Sequence, residues 1–189
     1  MKLPTNLYLV RHAHSTYNHD EQGRPLSERG LKDAQLVTDI LKLENIDYVI
    51  SSPYKRAIQT VGGIASWLHN EVMIEENFKE RKLAGVPVEN FNEAIIKVWD
   101  NPEFAWESGE SNVVAQKRGV QITLEILKKY EGKNVAIGTH GNIMVLIMNY
   151  FNAEFDFSFW QELEMPDIYK LTFEKTQLVE VKQIWRQYN

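Results

Sequence analysis

Short apolar runs constrain this chain most: LYLV (7–10), YVISS (48–52), VMI (72–74) and VAIG (135–138), with segments of helical periodicity between them. A run without polar alternation suits a strand buried on both faces, and strands alternating with helices build a mainly parallel sheet covered on both sides. PLSERGLKDAQLVTDILKL predicts a helix capped by Ser27, with Leu31, Ala34, Thr38 and Leu41 turned inward. A second helix is expected behind Ser52, with Pro53 in its first turn and Ala57, Val61, Ile64 and Leu68 facing the core. Residues 111–130 and NIMVLIMNYF read as two further helices, the latter largely buried. IYKLTF and LVEVKQIW, joined by EKTQ, read as a closing hairpin that adds an antiparallel edge. The expected fold is a three-layer α/β/α sandwich forming one domain over 1–189.

Several function classes drop out on composition. A net charge of -5 argues against general nucleic-acid binding. With no cysteine there is no disulfide, thiol nucleophile or cysteine-ligated zinc. No apolar run approaches the roughly 18 residues that span a bilayer, and the run at 7–10 is too short for a signal-peptide core. A cytoplasmic protein without membrane or nucleic-acid partners is expected, with oligomeric state open.

Polar groups stand at the ends of three expected strands: Arg11 and His12, Ser51 and Ser52 with Arg56 just beyond, and Thr139 with His140. Ligands of open α/β sheets bind there. LVRHAHSTYN itself admits a phosphate pocket, a metal site built on His12 and His14 with His19 and Asp20, or a polar strand end. The metal reading lacks a convincing ligand set. Two histidines and two arginines suit phosphoryl transfer through a phosphohistidine, because neutral imidazole is a nucleophile near pH 7 and guanidinium forks neutralise phosphate oxygens. A carboxyl in an apolar, anion-rich pocket could protonate the leaving alkoxide, and Glu80 is the candidate.

LVRHAHSTYN resembles the LVRHGEsxxN signature of the histidine phosphatase superfamily, the phosphoglycerate-mutase-like proteins. SSPYKRAIQTV is similar to that family's SSPLxRAxQTA, PLSERGLKDAQ to its PLTxxGxxQA, and GTHGNIMVLI to its second-histidine segment. The four matches run in family order from residue 7 to about 148. The resemblance implies His12 as nucleophile, Arg11, Arg56 and His140 as catalytic phosphate ligands, and Asn18 and Ser15 as further phosphate contacts. It implies Glu80 as general acid, although KERKLAG follows ERxxGxxEG only loosely, and it implies no metal or other cofactor. Ala13 and His14 depart from the family's glycine and glutamate, which places His14 at the pocket mouth.

The resemblance leaves open a phosphatase, a cofactor-dependent phosphoglycerate mutase, or a non-catalytic domain that binds phosphorylated ligands. Residues 83–116 are expected to cover the site as a lid. That segment carries Lys97 as its one basic residue, against Glu89, Glu93, Asp100, Glu103, Glu107 and Glu110. Such a cover repels polyanions. The expected activity is therefore metal-independent hydrolysis of a small phosphorylated metabolite with one phosphate and a neutral or partly apolar leaving group. Phe78, Phe91, Trp99, Phe104 and Trp106 are expected in the core rather than against substrate.

Overall fold

The computed structural model describes residues 3–185. Strand β1 (Thr5–Arg11) lies inside the sheet, with β4 (Asn134–Thr139) parallel on one side and β5 (Asp167–Glu174) antiparallel on the other. Next to β4 runs β2 (Tyr48–Ser51), parallel, then the short β3 (Met73–Ile74). On the far side β6 (Gln177–Gln183) pairs antiparallel with β5, giving the order β3-β2-β4-β1-β5-β6.

The two-period of a strand explains why LYLV is apolar throughout. Leu7 and Leu9 enter one core and Tyr8 and Val10 the other, and each is at most 1% exposed. Helices α1 (Glu28–Lys42) and α2 (Lys55–Trp67) cover the Tyr8/Val10 face through Val37, Ile40, Leu41, Val61 and Ile64. The other face is covered by α4 (Asn112–Lys129) and α5 (Gly141–Phe151), the latter burying every residue from Ile143 to Met148. An all-round apolar helix has to be enclosed in this way. Two shorter helices, α3 (Phe91–Asp100) and α6 (Phe157–Glu162), and a 3-10 turn at Glu76–Phe78 complete the three layers.

Several local expectations shift. Ser27 caps α1, its Oγ accepting from Gly30 N at 3.1 Å, but Leu31 is 51% exposed. Gly30 takes the inward place in that first turn, where a Cβ would collide with the carbonyl oxygen of His14. Pro53 lies ahead of α2 rather than within its first turn, because Tyr54 stays extended as the N-cap. Strand β3 is a two-residue exposed edge. The connection between β5 and β6 shortens to Lys175 and Thr176, with Lys175 at φ 57. Within the 83–116 segment α3 was not anticipated, and residues 112–116 form the start of α4. No helix of the described residues is long and apolar enough to cross a membrane.

Candidate active site

Parallel β1, β2 and β4 deliver their carboxyl ends to one edge of the sheet, and each continues directly into a functional side chain. His12 follows β1, its backbone N–H donating to Thr139 O at 3.0 Å, which holds the strand end beside β4. His140 follows β4 as the N-cap of α5, and Arg56 occupies the first turn of α2 after β2. The two imidazoles meet edge to face with centroids 5.2 Å apart.

The hydrogen bonds of His12 assign its tautomer. Nδ1 lies 2.7 Å from Ala13 O, and a carbonyl only accepts, so Nδ1 carries the proton. Arg56 Nε then donates to the lone pair of Nε2 at 3.2 Å. Burial, aided by the charges of Arg56, Arg11 and Arg24, pushes the His12 pKa down to about 3. His12 is thus a neutral imidazole across ordinary pH, with Nε2 turned to the strongest cation of the site. His140 is fully enclosed and shares a 2.7 Å hydrogen bond between Nε2 and Ser52 Oγ. Burial and then neighbouring His12 and Arg56 hold its pKa well below the usual histidine range.

Arg11 is fixed from behind: Nη1 donates to Leu163 O at 2.8 Å and Glu164 O at 3.1 Å, while Nε is left without a partner. Behind it, Asp167 is fully buried and pins the same loop by accepting from Glu164 N at 3.0 Å. Glu80 stands in a setting other than the apolar, anion-rich one expected. Its carboxyl accepts from Asn142 N at 3.1 Å, Ile143 N at 3.0 Å and Arg81 N at 2.8 Å, so it sits on the amino end of α5. Gly141 leaves this corner open, since a Cβ there would lie 3.2 Å from Arg11 Nε and 3.3 Å from Trp160 Nε1.

These groups line a cleft of about 390 Å³ that brings together Arg11, His12, Ser15, Arg56 and Glu80. His14 lines it too, exposed at the mouth with Nδ1 2.8 Å from Ser27 Oγ. His140 lies directly beneath. Asn18 is not brought into the cleft: it is exposed, and its side chain accepts from Asp20 N. His12 and His14 diverge, and among the described residues no three His, Asp or Glu side chains cluster to hold a metal ion.

Other residues of the cleft went unread in the sequence. Arg24 and Glu21 come from the loop between β1 and α1, and Trp160 from α6. Arg81, 3% exposed, donates to Asn142 Oδ1 at 3.4 Å and has no ion pair among the described residues. Only Arg81 had a signal, standing next to Glu80. Of the aromatics, Phe78 is core, whereas Phe91 is 52% exposed and lines the cleft with Leu83 and Ile95.

The sequence matches the histidine phosphatase superfamily (branch 1) over residues 7–183. It is 30% identical to phosphoserine phosphatase 1 of Hydrogenobacter thermophilus over 149 residues, 71% of this chain and 70% of that protein. To the putative phosphoserine phosphatase 2 of that organism it is 28% identical over 155 residues, 75% of this chain and 76% of that protein. In fold it resembles a phosphoserine phosphatase mutant from Entamoeba histolytica in complex with phosphoserine, with a TM-score of 0.80 at 22% identity over 97% of this chain and 98% of the other. The sequence match spans everything from the first apolar residue of β1 to the last residue of β6, and on that ground the chain belongs to the histidine phosphatase superfamily, branch 1.

Proposed function

We propose that the chain hydrolyses small phosphomonoesters through a phosphohistidine on His12 Nε2. The observation that carries this reading is the lone pair of Nε2, kept unprotonated by burial and the neighbouring arginines, its tautomer set by the Nδ1–H bond to Ala13 O, beside Arg11, Arg56 and Glu80. In the first step Nε2 attacks phosphorus, the P–O ester bond breaks, and the leaving alkoxide takes a proton from Glu80. Arg56 Nε moves from Nε2 to a phosphate oxygen as the lone pair is used. Arg11 Nε neutralises another oxygen. In the second step water attacks phosphorus, its proton passes to Glu80, the N–P bond breaks, and inorganic phosphate leaves.

Residues 83–110 serve as the cover in this reading. Its base is tied by Gly85 N to Glu107 O at 2.8 Å and Glu110 N to Lys82 O at 2.7 Å. The small cleft under Leu83, Phe91 and Ile95 suits a leaving group of few heavy atoms. The relatives' names make O-phosphoserine the first physiological ester to try.

Release of phosphate from p-nitrophenyl phosphate in excess EDTA, compared between the protein and His12→Ala, tests the proposal. Activity that survives chelation and vanishes in the variant is expected. Activity abolished by EDTA would return the metal reading of His12 and His14, and efficient interconversion of 2- and 3-phosphoglycerate would make the chain a mutase instead.

A further inference from the structure

Arg56 reaches the cleft with its donors already engaged. Nε is on His12 Nε2 at 3.2 Å, Nη1 on Glu21 O at 2.7 Å and Nη2 on Glu21 Oε1 at 2.7 Å. The arginine side chain is 2% exposed, that of Glu21 53%. A carboxylate therefore occupies one of the guanidinium donors beside the nucleophile. The loop does not depend on that carboxylate for its place. Gln22 O accepts from Lys55 N at 2.9 Å, Pro25 O from Thr16 N at 3.1 Å, and Glu21 O stays on Arg56. The side chain is free to rotate off Arg56 while the backbone remains, and Arg24, 3.3 Å from Glu21 Oε2, keeps it near.

Once displaced, the carboxylate still faces the substrate. Glu21 lines the catalytic cleft and also an adjoining hollow of about 530 Å³, and the two share Glu80, Arg81, Leu83 and Phe91. The leaving group of an ester seated on His12 lies at that junction. Lys82 and Arg81 are the basic residues of the hollow, and Arg81 is turned toward Asn142 Oδ1. Beyond it, a third hollow of about 610 Å³ carries Glu89, Glu93 and Glu107 against Lys97. Lys97 is held over the faces of Phe104 and Trp106, at 4.4 and 4.6 Å.

We infer that Glu21 determines substrate class: the incoming phosphate displaces its carboxylate from Arg56 Nη2, and the freed carboxylate receives an ammonium group on the leaving alcohol. The inference rests on the phosphatase reading above and replaces a neutral leaving group with a cationic or zwitterionic one. A phosphate that takes Nη2 of Arg56 breaks the Glu21–Arg56 pair. Only an ester with a cation near its ester oxygen recovers that interaction, so discrimination arises from the penalty on the others.

The test compares kcat/KM for O-phosphoethanolamine, 2-phosphoglycolate and p-nitrophenyl phosphate in the protein and in Glu21→Gln, together with inhibition by inorganic phosphate. The variant is expected to lose about fivefold on phosphoethanolamine, the scale of one half-exposed ion pair, and to gain on phosphoglycolate and p-nitrophenyl phosphate. Inorganic phosphate should inhibit it more tightly. An unchanged ratio between phosphoethanolamine and phosphoglycolate overturns the inference. So does a parallel loss on all three esters with weaker phosphate inhibition, which would make Glu21 a positioning residue for Arg56. Failure of the unmodified protein to hydrolyse p-nitrophenyl phosphate would overturn the phosphatase reading itself, and the inference with it.

Discussion

The floor of the cleft and its cover are anchored in different ways. Arg11, His12, Arg56 and His140 emerge from the ends of a two-sided sheet, and backbone carbonyls or neighbouring side chains fix their directions. Phe91 and Ile95 come instead from a ten-residue helix in a segment tied at its base, with Lys97 on two aromatic faces and Glu110 paired to Arg118 at 2.7 Å. A buried cation with fixed partners cannot change without disturbing its neighbours. A surface helix can change its outward residues freely. The floor is thus built for one chemistry, and the cover and the exposed Glu21 beside it are where substrates are distinguished.

Substitutions rank the two regions. Replacing the nucleophile should have the largest effect: His12→Ala is expected to lower kcat by roughly 10⁴-fold or more, as losing a nucleophile does elsewhere. Survival of substantial turnover would move the chemistry away from the floor. Arg56→Ala should cost about 10²- to 10³-fold in kcat/KM for p-nitrophenyl phosphate, the scale of one lost transition-state donor. A loss confined to KM would instead make Arg56 a simple binding group.

The floor also predicts a pH dependence of stability. Unfolded His12 binds a proton near pH 6.5, but the folded residue only near pH 3. Its contribution is fully present above pH 6.5 and is lost as pH falls toward 3. For one proton this loss reaches about 1.4 kcal/mol per pH unit. Urea titrations at pH 7 and 4.5 should show this loss, and His12→Gln should show less of it, His140 contributing with the same sign. At the cover the effects shrink. Phe91→Ala should raise KM about threefold for small esters, with kcat nearly unchanged and the melting temperature shifted by less than about 3 °C, as for other surface substitutions. Lys97→Ala should destabilise by about 0.5–1 kcal/mol in urea unfolding through its lost cation–π contacts. A larger effect at Phe91 than at Arg56 would invert the comparison.

Much of the floor was legible in the sequence because chain order carries it. A strand of uninterrupted apolar residues must be buried on both faces, so the polar residue that ends it stands at the sheet's edge, and His12 and His140 follow from that alone. Arg56 follows only from the family-like motif SSPYKRAIQTV around it, since an arginine in a first helical turn is otherwise a surface charge. Leu31 misled because Gly30, a residue without a side chain, took the inward place. The helices α3 and α6 were missed for different reasons. In FNEAIIKVWD only Ala94, Ile95 and Val98 are buried, and α6 spans six residues, less than two turns. Asn18 matches the family's pattern, but its side chain caps its own turn and does not line the cleft.

By itself the sequence determined the layered architecture and the family, and it singled out His12, Arg11 and Arg56, which line one cleft. These depend on local periodicity and on residues adjacent to strand ends, information that lies within a few positions of each side chain. Only the tertiary structure decided that Nε2 of His12 carries the lone pair, that Glu80 rests on α5 amides 62 and 63 residues away, and that Glu21 sits on Arg56 across 35. The last two are contacts between distant segments, and the first combines a bond to the neighbouring Ala13 O with one from Arg56, 44 residues away, so packing over the sheet decided all three.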